Sequence, residues 1–117
     1  MELLVRLSLL LNIAVLVPVT ASLISNAGWT ANAYGPPSPA RGILLSIYLA
    51  IMLVSIGLLF KPVPAMVAAL LLVQIIYKIT TPFSVGTLSN PVVLSNLAIA
   101  AFHAVTLRSI AAARGWF

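Results

Sequence analysis

The chain has 117 residues, of which 62% are hydrophobic and only 6% are charged. A soluble domain carries about 25% charged residues, so this composition excludes an ordinary soluble fold and favours an integral membrane protein. Six lysines and arginines accompany a single acidic residue, giving a formal net charge of +5. Because the basic residues are scattered singly near predicted helix ends, they indicate contact with the headgroups of a lipid bilayer and not nucleic-acid binding.

The residue types that most enzymes use are nearly missing. The chain has no cysteine, which excludes disulfides, thiolate metal sites and thiol catalysis. The acidic residue is Glu2, so no carboxylate lies within a predicted span to complete a Ser–His–Asp triad. The single histidine, His103, cannot form a zinc site alone, and packing or hydrogen bonding is favoured over haem or chlorophyll ligation. We therefore expect no enzymatic activity and no metal site, and the sequence indicates no particular cofactor.

The first predicted helix covers residues 3–25. Near its start, Arg6 is followed by an apolar run, and this pattern resembles a signal peptide. We nevertheless expect the segment to be retained as a membrane span. Asn12 lies near the middle of this span, where its amide needs a partner. The alternatives are a side chain on another helix or a neighbouring backbone carbonyl. Pro18 removes a backbone donor and predicts a kink.

Residues 26–37 are predicted to form an uncharged loop, because glycines and prolines prevent the helix from continuing. Its two aromatic residues, Trp29 and Tyr34, are typical of the membrane interface. They predict either an anchor at that interface or a contact with a partner, since this is the longest segment expected outside the membrane.

The second predicted helix, residues 39–60, is the clearest span. It carries no charge between Gly42 and Phe60. At ~1.5 Å per residue this stretch measures about 28 Å, which matches a hydrocarbon core of about 30 Å. Ser38 is suited to the N-cap and Pro39 to the first helical turn.

Two further helices are predicted, at residues 64–80 and 90–108, separated by an uncharged loop. Ser89 or Asn90 is expected to cap the last helix, and the segment after it is expected to extend that helix onto the membrane surface. The fold class is therefore an all-α, integral membrane four-helix bundle, with residues 1–117 forming a single domain.

The basic residues also predict an orientation. Four spans place both termini on one side of the membrane, and the positive-inside rule makes the more basic side cytoplasmic. The side with the termini would hold Arg6, Lys61, Arg108 and Arg114, whereas the other side would hold Arg41 and Lys78. We therefore expect both termini in the cytoplasm.

A group of polar residues near the non-cytoplasmic ends of the helices is the predicted binding site. Its amides, phenols and two cations would suit an anion, a lipid phosphate or a quinone carbonyl. The alternative is that the two cations reach headgroups individually while the amides bond between helices. The six members are Arg41, Tyr48, Gln74, Tyr77, Lys78 and Asn96.

In layout the chain resembles the small four-span bacterial membrane proteins of the DoxX-like type. The features that carry the resemblance are the number of spans, the chain length, and an arginine that opens the second helix, here Arg41 with Tyr48 following it. The resemblance implies a four-helix architecture in a bacterial inner membrane and no particular activity.

The function expected from the sequence is that of a non-enzymatic accessory or scaffold subunit of a larger membrane complex, holding lipid or a hydrophobic cofactor at its surface. The polar residues are too few for an aqueous pathway, and the third and fourth predicted spans are short and contain alanines that permit close helix packing. The alternative is a small membrane binder or carrier of an amphipathic anionic ligand or a quinone.

Overall fold

The computed structural model describes residues 2–116, and this part of the chain is all-α. Met1 and Phe117, the ends of the expected single domain, lie outside the described residues. The helices, in chain order, are α1 (Glu2–Ser25), α2 (Gly28–Tyr34), α3 (Pro39–Phe60), α4 (Pro64–Val85) and α5 (Pro91–Arg114).

Four of these helices, α1, α3, α4 and α5, are long and apolar enough to cross a membrane. Many of their apolar side chains are exposed, although others are buried, and several polar side chains are buried as well. Apolar side chains such as Leu53 and Ile43 are each 63% exposed, whereas eleven polar or charged side chains among the described residues are buried. Lipid is the solvent in which exposed apolar groups and buried polar groups are both favourable. The all-α membrane fold expected from the sequence is therefore confirmed.

The predicted start of α3 is confirmed with its cap. The Ser38 hydroxyl accepts a hydrogen bond of 3.1 Å from the backbone N–H of Arg41, and Pro39 occupies the first turn. At α5 the cap is Asn90, whose side chain accepts a 2.8 Å bond from the backbone N–H of Val92. Both caps satisfy backbone donors that the helix itself leaves without partners.

The last two helices end later than predicted. Pro82 does not end α4, which runs through it to Val85, so the predicted loop at 81–90 is wrong over its first half. The helix ends at Gly86, whose φ of 85° is a left-handed conformation that glycine adopts without a steric penalty. The last helix likewise continues beyond residue 108 to Arg114, as the sequence suggested for the tail.

The predicted loop at residues 26–37 contains a seven-residue helix, α2. The segment is enclosed by an interruption on each side. Asn26 adopts a left-handed conformation with φ of 54°, and Gly35 has φ of 87°. The left-handed Asn26 therefore ends the first helix before the first glycine of the segment, and the loop prediction is wrong over residues 28–34, where α2 begins at Gly28 itself.

The chain divides into two compact units, which we describe separately. The α1–α3 unit is Leu9–Phe60 and contains most of α1, with α2 and α3. The α4–α5 unit comprises the described residues of Met1–Ser8 and Lys61–Phe117, and in it α4 packs against α5. Pro18 lies inside α1 without ending it. Whether the chain forms a single domain stays a prediction.

Candidate functional site

Arg41 is the most highly connected polar residue of the α1–α3 unit. It lies in the first turn of α3 and is only 6% exposed. Its Nη1 donates to the Gly35 carbonyl at 3.0 Å. Its Nη2 is 2.9 Å from Thr30 Oγ1, 3.1 Å from Asn26 Oδ1 and 3.4 Å from the Leu23 carbonyl. One guanidinium group therefore joins the end of α1, the short helix α2 and the start of α3.

The local backbone explains how these acceptors reach Arg41. The left-handed conformation of Asn26 ends α1 and turns the chain, and asparagine tolerates this conformation better than most residues do. Thr30 follows one helical turn later and is fully buried in α2. Its hydroxyl also donates to the Ala27 carbonyl at 2.6 Å, which leaves an oxygen lone pair for the guanidinium.

A cleft of about 260 Å³ opens beside Arg41. Its walls come from the end of α1, the chain preceding α3 and the first turns of α3. The lining residues are Leu23, Ile24, Asn26, Pro37, Ser38, Arg41, Gly42 and Leu45.

Tyr48, the second predicted site residue in this unit, is buried two turns after Arg41 on α3. Its ring meets the edge of Tyr34, with centroids 6.0 Å apart. Tyr34 in turn lies 6.0 Å from the ring of Trp29, which is 42% exposed. Tyr34 therefore joins Trp29 to the buried Tyr48 through tilted and edge-on ring contacts, and Trp29 remains at the surface.

In the α4–α5 unit, the cation of the predicted binding site is Lys78. It is 5% exposed, and its Nζ donates to Asn96 Oδ1 at 3.0 Å. The ammonium also lies 4.9 Å from the centroid of the Tyr77 ring, within the range of a cation–π interaction. The amide of Asn96 approaches Thr81 Oγ1 at 3.5 Å. Three predicted site residues therefore meet at one place between α4 and α5.

Gln74 is buried in α4 and its Nε2 approaches the Leu70 carbonyl of the same helix at 3.5 Å, the outer limit of a hydrogen bond. This contact of Gln74 therefore lies within its own helix. The predicted site is thus divided between the two units, with Arg41 and Tyr48 in one and the other four residues in the other. The expected convergence of all six on one volume stays a prediction.

The alternative interpretation of the two cations, that their side chains reach out to headgroups, stays a prediction. Arg41 and Lys78 are both buried and both donate hydrogen bonds to neutral groups of the chain. The amide of Asn96 does bond between helices, as that interpretation expected, but it bonds to a cation.

Further buried polar side chains hold helices together. In the α1–α3 unit, Asn12 Nδ2 donates to Ser55 Oγ at 3.1 Å, which is the interhelical partner considered from the sequence. In the α4–α5 unit, His103 Nδ1 lies 3.1 Å from Ser8 Oγ, which lies 2.7 Å from Thr106 Oγ1. These bonds match the hydrogen-bonding role favoured for His103. Within residues 2–116, no group of three or more potential ligands could hold a metal ion.

Several of these partners were not identified from the sequence. The missed residues are Ser8, Asn26, Thr30, Ser55 and Thr106. One signal was available for α1, where Ser8, Asn12 and Thr20 recur at multiples of four residues and are all buried. Such spacing places polar side chains on one helix face. For Asn26 and Thr30 no comparable signal exists, because their role depends on the turn that joins α1 to α2.

No family model matches the chain, and neither a curated protein nor a solved structure matches it. The likeness to the DoxX-like type therefore stays an expectation that rests on the layout of the helices. Function has to be argued from the side-chain geometry.

Proposed function

We propose that this protein is a non-enzymatic accessory or scaffold subunit of a larger membrane complex, in a bacterial inner membrane and with both termini in the cytoplasm. The observation that carries the proposal is the closed polar interior. Among residues 2–116, every fully enclosed side-chain nitrogen or oxygen has a hydrogen-bond partner. Several of these groups hold helices together, such as Asn12 with Ser55 and Lys78 with Asn96, which is how a structural element uses buried polar side chains.

The outer surface supports the same proposal. Ala65 and Ala69 of α4 and Ala104 of α5 are exposed, and small side chains allow a second helix to approach closely in a membrane. Ala100, which lies four residues before Ala104 on α5, is buried. The last two spans were expected to be short, and this was an argument for the subunit role. The argument fails, because α4 has 22 residues and α5 has 24.

Purification from native membranes tests this proposal. The tagged chain is extracted in a mild detergent and its mass is measured by native mass spectrometry. We expect a stable assembly well above the 12.3 kDa of one chain, with other membrane proteins in fixed ratio. The same preparation in a harsh detergent gives the reference mass of the single chain. A single chain with only lipid attached in the mild detergent would contradict a subunit role.

The second candidate is a binder or carrier of an amphipathic anionic ligand or a quinone. One observation favours it, because the hydrogen-bond acceptors of both Arg41 and Lys78 are neutral. A buried cation with neutral partners is solvated but not neutralised, and a ligand could supply the missing negative charge. Organic extraction of the purified chain, followed by mass spectrometry, would identify a quinone or an anionic amphiphile held in stoichiometric amount.

A further inference from the structure

The donors of Arg41 are not all used within the chain. A guanidinium group has five N–H donors. In the part of the chain that the structure describes, Nη2 points to three acceptors and Nη1 to one, whereas Nε donates to none. At least the Nε–H and one hydrogen of Nη1 are therefore available to another acceptor.

The Nε atom, which has no acceptor, must be accessible. In residues 2–116, every fully enclosed side-chain nitrogen has a hydrogen-bond partner. Because Nε has none, it must lie at accessible surface, although Arg41 as a whole is only 6% exposed. The cleft of about 260 Å³ is the space that Arg41 lines. A nearly buried cation thus combines an accessible Nε–H with a place in the wall of a cleft.

The charge of Arg41 also needs an anion. Its acceptors are two backbone carbonyls, one amide and one hydroxyl, all neutral. A charge removed from water is stabilised far better by an opposite charge than by dipoles alone. The first turn of α3 lies at the same place, and the positive end of its helix dipole adds to the attraction for an anion.

The cleft fits a headgroup better than a whole lipid. Its volume is just below the range of about 300–1,000 Å³ typical of sites for drug-sized ligands. Leu23, Ile24 and Leu45 provide apolar walls, while Asn26 and Ser38 add polar groups beside Arg41. Because the cleft lies where α1 ends and α3 begins, helices that span a bilayer place it at headgroup level.

We propose that the Arg41 cleft binds one phosphate oxyanion, that of an anionic phospholipid headgroup. The phosphate oxygens accept hydrogen bonds from the free N–H groups of Arg41. The glycerol and the first acyl carbons lie against the apolar wall formed by Leu23, Ile24 and Leu45. This site does not depend on the proposed subunit role, since it needs no partner protein.

The test blocks the cleft without touching Arg41. Gly42 lines the cleft, and a Cβ added there meets nothing within 4 Å, so Gly42→Leu places an apolar side chain at the wall of the cleft from an unhindered Cβ. Gly57→Leu is the matched control, because Gly57 is also exposed on α3, has equally open surroundings and lies outside the cleft. If Gly42→Leu fails to fold, Leu45→Trp is used in its place, because Leu45 also lines the cleft and a larger side chain there narrows it.

The purified, delipidated proteins are titrated with phosphatidylglycerol, phosphatidylcholine and inorganic phosphate. Binding is followed by native mass spectrometry and by the shift in thermal unfolding. We expect one tightly held phosphatidylglycerol in the wild type and in Gly57→Leu, with affinity at least about tenfold lower in Gly42→Leu.

The three probes separate the sources of the phosphate. An anionic lipid is supported if phosphatidylcholine binds more weakly than phosphatidylglycerol and inorganic phosphate does not shift the unfolding temperature. Stabilisation by inorganic phosphate that is lost in Gly42→Leu supports the same oxyanion site with a soluble ligand. Equal lipid binding and equal thermal shifts in Gly42→Leu and Gly57→Leu would overturn the proposal.

Discussion

Arg41 Nη2 donates to the hydroxyl of Thr30 at 2.9 Å, and both residues are buried. This bond connects the first turn of α3 to α2, a helix of seven residues that is too short to be stable alone. The short helix is therefore held by tertiary contacts, among them the bond from Arg41 and the contact between the rings of Tyr34 and Tyr48.

The first prediction follows from that bond. Thr30→Val removes an acceptor from a buried cation, and hydrogen bonds to charged groups contribute about 1.5–3 kcal/mol. We expect a loss of that order in the free energy of unfolding, measured by denaturant titration in detergent. Thr80→Val is the matched control, since Thr80 is exposed on α4 and bonds only within its own helix. Equal small effects in both variants would show that the Thr30 bond does not stabilise the fold.

The second prediction concerns the bond of 3.1 Å between Asn12 and Ser55, which joins α1 to α3. We expect Asn12→Leu to lower the free energy of unfolding by about 0.5–2 kcal/mol, because an amide in lipid finds other partners when the helices separate.

A double-mutant cycle with Ser55→Ala isolates the pair. We expect the two single losses to add up to more than the loss in the double variant, since both remove the same bond. Strictly additive losses would contradict a direct interaction. A loss well above the expected range in Asn12→Leu alone would indicate a ligand contact.

The third prediction concerns Lys78 and Asn96. Asn96→Leu leaves the buried ammonium without its 3.0 Å acceptor, so we expect a loss of about 1–3 kcal/mol or more in the free energy of unfolding. Replacing both partners in Lys78→Met with Asn96→Leu removes the buried charge as well, and apolar replacement of buried ionic groups is often neutral or stabilising. The double variant should therefore be more stable than Asn96→Leu, as measured by thermal unfolding. A double variant less stable than Asn96→Leu would show that Lys78 has a stabilising partner other than Asn96.

The sequence predicted the start of every long helix to within one residue, because prolines and capping side chains are local signals. It failed at the end of α4, because the predicted loop at residues 81–90 contains Pro82 and the helix runs through this proline. A proline near the end of a helix removes only one backbone bond, and the true stop is Gly86, whose backbone conformation is left-handed.

The candidate site was predicted less completely, for a different reason. Intramembrane polar residues can be recognised singly, and Arg41, Lys78 and Asn96 were all identified in that way. Their partners depend on which helix faces meet, which the composition of an apolar span does not determine. Thr30 and Asn26 became acceptors for Arg41 only through the turn after α1, and no periodic pattern marks that turn.

Everything proposed here depends on four helices crossing a membrane with both termini on one side. Because the chain has no cysteine, single cysteines can be introduced at Ala31, Val85 and Ala113, which are all exposed. An impermeant thiol reagent is then applied to intact and to permeabilised cells.

We expect cysteines at positions 31 and 85 to be labelled in intact cells and the cysteine at position 113 only after permeabilisation, as the positive-inside rule requires. The opposite pattern would keep four spans but contradict the cytoplasmic termini. Labelling of positions 31 and 113 under the same condition would contradict the four-span topology itself.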